Sequence, residues 1–237
     1  MSFQLILLPV TGLPVLVFIH GESWSWGSSH LYDGRILATL GQIIVVTFNY
    51  RIGVLGRADK STINTSTIIS GFLNTNPSPM TKGHVANYGL VDQMAALQWV
   101  VEDIAQFGGD PSRITLMGQG VGAACVEYLV HSPMIRQSHF QRVILMSGSI
   151  FSGWARVDNP AEISVKLAKQ LDCSLPADLH THHTNILDCL RDKTVEQLTG
   201  VNLETFAFKA VWGPSFDGIT IKNNFVEIKG KRSFESR

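Results

Sequence analysis

The stretch Ile114-Thr115-Leu116-Met117-Gly118-Gln119-Gly120-Val121-Gly122-Ala123-Ala124 leaves an apolar segment, passes through three alternating glycines and enters a helix-like sequence. Residues 114–117 have the near-continuous apolar character of a strand covered on both faces, and residues 121–130 read as a buried helix. A G-x-S-x-G turn between such elements projects a serine hydroxyl, because its flanking glycines let the backbone crowd together. Here Gly118 and Gly122 supply the frame, and Gly120 occupies the centre. Glycine carries no side-chain oxygen, sulfur or nitrogen, so the covalent attack made at such a turn has no agent here.

Working outward, residues 15–19 (Val-Leu-Val-Phe-Ile) and 43–48 repeat the buried-strand pattern, and residues 142–146 give another strand running into Ser147-Gly148-Ser149. Asp110-Pro111-Ser112-Arg113 reads as a turn leading into the central strand. Residues 35–40 suggest a short helix ending at Gly41. Leu90, Met94, Leu97, Val101 and Ile104 recur at steps of four and three, the spacing of one helix face. Two more helices are expected over 161–171 and 185–198, joined by a His-rich loop, and a last strand-like piece lies at 206–211. Alternating strand and helix with apolar strands argues for an α/β fold, a mostly parallel sheet with helices on both faces.

Composition narrows the function classes. Lysine plus arginine number 19 and aspartate plus glutamate 19, so no net field draws the chain to nucleic acid or to an anionic membrane. The hydrophobic share, 45% of 237 residues, suits one sizeable core. Residues 1–10 are apolar, but without a basic n-region or a small-residue cleavage pattern they make a poor signal peptide, and no later run approaches a membrane span.

Three cysteines leave the disulfide question open on counting alone. Cys173 and Cys189 flank a short polar stretch that a disulfide could close, whereas Cys125 sits inside an apolar helix as a small hydrophobe. Asn64-Thr65-Ser66 is an N-glycosylation sequon, meaningful only on a secreted chain.

Six strings in order carry a family resemblance: Phe18-Ile19-His20-Gly21; Asn49-Tyr50-Arg51-Ile52-Gly53-Val54-Leu55-Gly56; Asn87-Tyr88-Gly89-Leu90-Val91-Asp92-Gln93; Phe107-Gly108-Gly109-Asp110-Pro111-Ser112-Arg113; Ser147-Gly148-Ser149; and Gly213-Pro214-Ser215-Phe216-Asp217-Gly218. With the glycine turn they resemble the type B carboxylesterases and cholinesterases of the α/β-hydrolase fold. Gly120 with Ala124-Cys125, and Asp188-Cys189-Leu190-Arg191-Asp192, resemble the neuroligin branch of that family. The resemblance implies an incomplete α/β-hydrolase domain over residues 1–237 and no catalysis; no cofactor is expected, because residues 118–122 lack the third glycine spacing and the later acidic residue of a dinucleotide fingerprint. It also implies a Cys173–Cys189 disulfide and a place on the extracellular face of the plasma membrane at synapses. Neurexin-type partners and a homodimer are implied for full-length members through regions absent here. Residues 57–70, which contain Asn64, interrupt the family pattern and read as an inserted surface loop.

Hydrolysis needs a nucleophile, a base, an acid that orients the base, and oxyanion donors. The nucleophile position is Gly120. The oxyanion positions are Glu22, Ser23 and Val121, and a carboxylate at Glu22 opposes a developing negative charge. The acid and histidine of the triad would lie beyond Arg237 in family order. A working carboxylic ester hydrolase is therefore the alternative reading. Gly21-Glu22-Ser23-Trp24-Ser25 imitates an elbow, with Ser23 as nucleophile and His20 as base, but it has a bulky Trp24, a serine at position 25 and no helix directly after it. His180, His182 and His183 lack the spacing and companion ligands of a metal site, and a solvated loop is the default.

Overall fold

The computed structural model describes residues 2–4, 11–54, 71–78, 83–203 and 209–222. The inserted loop expected at 57–70, with Asn64, falls outside them, as do residues 206–208 of the strand-like piece 206–211.

Five strands form one sheet in the order β1-β3-β2-β4-β5. They are β1 (Ser2–Gln4), β2 (Leu13–Ile19), β3 (Ile44–Thr47), β4 (Gly109–Gln119) and β5 (Arg142–Met146). β2 lies between β3 and β4, parallel to both, and β5 adds parallel to β4. β1 pairs antiparallel with β3, so the apolar N-terminal stretch contributes an edge strand that the sequence reading did not assign. Three residues give too short a run to show a period.

The alternation of side chains sets the layers. Val15, Val17, Ile19, Ile44, Val46, Ile114 and Leu116 join the main core, which α2 (Tyr88–Asp103) and α3 (Val121–His131) cover. Leu16 and Val45 point to the opposite face with Ala38 of α1 (Arg35–Gly41). Leu90, Met94, Leu97 and Ile104 are buried as their spacing requires, and Gln93, Ala96 and Val100 join them, while Val101 is only partly covered. Each fully buried aliphatic side chain on this face contributes roughly 1.5–3 kcal/mol. Beyond α1 the second face is open: Ile144 and Met146 of β5 are 43% and 36% exposed, and Ile36 and Leu40 of α1 are more so.

Two local expectations give way and a third holds. Asp110-Pro111-Ser112-Arg113 is not a turn before the strand but an interruption within β4. The register steps from Leu13–Gly109 to Val15–Ile114, and the Ser112 N–H donates to Asp110 Oδ1, so local hydrogen bonding absorbs the extra residues as a bulge. α1 ends at Gly41, as expected, with Gln42 as its C-cap at φ 48°. The helix expected over 185–198 is two helices, α6 (Thr184–Arg191) and α7 (Val195–Gly200), separated by a capping box in which Thr194 and Gln197 satisfy each other's backbone N–H groups.

α6 packs on α4 (Pro160–Gln170), and the disulfide Cys173–Cys189 ties the chain after α4 to α6 around a second core of Leu167, Ile186, Leu190 and Leu198. The His-rich stretch is partly helical, forming α5 (Leu179–His182).

Candidate functional site

β4 ends at Gln119 and α3 begins at Val121, so Gly120 alone makes the strand-to-helix turn. Its backbone lies at φ 54° and ψ −116°, a region that L side chains rarely adopt. The Gly120 N–H donates to the Met146 carbonyl at 2.8 Å, and its own carbonyl accepts the Ala124 N–H, which anchors the turn between β5 and the first turn of α3.

Close backbone approach surrounds it. A Cβ on Gly118 would lie 2.2 Å from the Gly122 carbonyl oxygen, and one on Gly122 would lie 2.1 Å from that of Ile19. Gly21 meets the Gln119 oxygen at 2.2 Å in the same way, and Gly148 meets the Gly120 oxygen at 2.0 Å. Four glycines thus permit the end of β2, the turn, α3 and the end of β5 to converge. Gly120 differs: a Cβ there would meet nothing within 4 Å. The centre of the turn has room for a side chain and carries none.

The sequence-assigned oxyanion residues adjoin this joint. Val121 is the first residue of α3. Glu22 follows Gly21 with φ 74°, and its carboxylate accepts the Tyr32 hydroxyl at 2.7 Å. Burial, the Glu22 hydrogen bond and the Glu22 charge push the Tyr32 hydroxyl up to about 12, so it stays a donor. The Ser23 hydroxyl accepts the Ser25 N–H, which makes a local turn and not an elbow, and no helix begins before Ser29. His20 is 1% exposed; its ring stacks on Tyr50, and its backbone carbonyl accepts the Tyr50 hydroxyl. On the buried face of α3, burial pushes the Cys125 thiol up to about 12 beside Gln93 and Tyr50, keeping it a neutral core group.

Sequence reasoning did not anticipate how the motif strings join. Arg51 forms a two-pronged pair with Asp92, Nε to Oδ2 and Nη2 to Oδ1, while Asp92 also accepts the Arg51 N–H. The Asn87 amide bonds both backbone groups of Ser215. Asp217 is fully buried and accepts the N–H groups of Ile219, Thr220 and Ile221 on one oxygen and that of Ala86 on the other. The family strings therefore act as a polar frame holding loops from distant parts of the chain. Their order was visible in the sequence, but their partners were not.

His180 and His183 separate onto different partners. Nδ1 of His180 lies 2.6 Å from the Ser78 hydroxyl, and Nδ1 of His183 lies 3.0 Å from the Thr75 hydroxyl. Among the described residues no cluster of His, Cys, Asp or Glu is arranged to hold a metal. Among them, too, no helix is long and apolar enough to cross a membrane.

A family model described as the carboxylesterase family matches residues 8–235. Over 211 residues, 89% of this chain, the sequence is 40% identical to human neuroligin-3 and 36% identical to mouse neuroligin-2, covering 22% of each. It is 34% identical to neuroligin-1 of Caenorhabditis elegans, covering 89% of this chain and 25% of that protein. The chain spans about a quarter or less of the length of these relatives.

Proposed function

We propose that this chain, which belongs to the carboxylesterase family, is part of a cholinesterase-like cell-adhesion protein of the neuroligin type and cleaves no ester. The observation that carries this reading is Gly120, which stands at the centre of an intact strand-to-helix turn with no atom to attack a carbonyl. The arrangement around Glu22 supports it. An oxyanion site works by pre-aimed donors, and this segment presents a carboxylate engaged with Tyr32. Similarity to three neuroligins adds the functional class. Neurexin-type partners, a homodimer and an extracellular synaptic location follow from the same resemblance, through regions outside this chain.

Carboxylic ester hydrolysis is the second reading, and the retained turn geometry with open space at Gly120 favours it. The full-length ectodomain treated with a fluorophosphonate probe and an aryl acetate decides between them. Neither labelling nor turnover above the buffer rate is expected, and either one refutes the adhesion-only reading.

A further inference from the structure

Among the described residues a cleft of about 610 Å³ opens beside the carboxyl ends of β2 and β3, where the loops containing Trp26 and Val54 face α7. Parallel α/β sheets place ligands at this end of their strands, and the volume falls within the range of small-molecule sites. Neither Gly120 nor the Glu22-Ser23 pair lines it, so it is separate from the glycine turn.

The lining is specific in chemistry. Trp26 and Trp212 supply two indoles, Val54 and Leu198 an aliphatic surface, and Thr199 and Asn202 polar groups at the margin. Among the described residues that line it there is no Asp, Glu, Lys, Arg or His. These lining residues offer an ion no compensating charge for the hydration it would lose. An aromatic ring instead gains both area burial and offset or edge contacts with the indoles. Trp26 is 58% exposed, so its indole serves no core that would account for it.

We propose that this cleft binds an uncharged small molecule carrying an aromatic ring, with Trp26 and Trp212 as its aromatic walls. Titration of the full chain with N-phenyl-1-naphthylamine, a neutral fluorophore that brightens in apolar surroundings, tests the assignment. Saturable binding is expected, displaced by indole and not by benzoate. Trp26→Ala and Thr199→Arg both change exposed residues, and each weakens binding about five-fold or more, the worth of one aromatic contact or of a charge forced onto the rim. Leu40→Arg on α1, which does not line the cleft, leaves it unchanged. Absence of saturable binding, unchanged affinity in both cleft variants, an equal loss in Leu40→Arg, or equal displacement by benzoate overturns the proposal.

Discussion

Gly148, just beyond β5, packs against the turn residue Gly120 so closely that a Cβ on Gly148 would lie 2.0 Å from the Gly120 carbonyl oxygen. The contact is backbone to backbone, so no side-chain movement can relieve it. Gly148→Ala is expected to cost more than about 4 kcal/mol or to prevent folding. Gly120→Ala has open space and pays only for its backbone region, about 1–3 kcal/mol. Urea unfolding of the two variants checks the order, and equal losses would contradict the close-approach account.

Gly120→Ser restores a hydroxyl where there is room for one, yet it is expected to hydrolyse no aryl ester above background. On the proposed reading, the Glu22 carboxylate, which accepts the Tyr32 hydroxyl, and Ser23, which accepts the Ser25 N–H, stand where oxyanion donors are needed. Stopped-flow assay of the single variant on the full-length ectodomain, beside Gly120→Ser with Glu22→Gly, measures this. Fast turnover by the single variant would show that Glu22 does not impair the site.

Asp217 gathers four backbone N–H groups in the interior. Asp217→Ala strands those donors and is expected to destabilise the fold by at least about 3 kcal/mol. Asp217→Asn keeps one acceptor oxygen and should lose less. Thermal unfolding of both variants separates the hydrogen-bond effect from the volume change.

The Cys173–Cys189 bridge closes a sequence separation of 16 residues. Loop-closure entropy for about 15 residues corresponds to about 3 kcal/mol, so Cys189→Ser should lower stability by up to that amount. Because Leu167, Ile186 and Leu190 pack around this bridge, the loss should centre on α4 and α6 in hydrogen exchange.

His139 supplies a pH signature. Burial, with Arg136 nearby, lowers its pKa from the ordinary 6.5, so the folded state disfavours the imidazolium. The unfolded chain binds the proton more readily. The His139 contribution to stability is therefore whole above pH 6.5 and declines as pH falls below it. His139→Gln is expected to flatten the stability profile between pH 7 and pH 5 in chemical denaturation, and an unchanged slope would remove His139 as a cause.

Much of this was legible in the one-dimensional chain. The parallel strands, the amphipathic α2, the glycine frame and its vacant centre all follow from period, apolar run length and the absence of a side chain at position 120. Family order placed Glu22, Ser23 and Val121 near the turn. Signals of only a few residues were misread: β1 is too short to show a period, the 110–113 bulge resembles a turn, and the α6–α7 break is marked only by Thr194 and Gln197.

The sequence by itself determined that this chain builds an α/β sheet with a glycine at the centre of its strand-to-helix turn, because local patterns and residue chemistry are fixed without partners. Only the tertiary structure decided that Gly118, Gly122, Gly21 and Gly148 are held by backbone contact while Gly120 is not. It also decided that Arg51 meets Asp92, that Glu22 is engaged by Tyr32, and that two tryptophans share one cleft. These are distances between residues far apart in the chain, set by how the layers pack, and a linear pattern does not encode them.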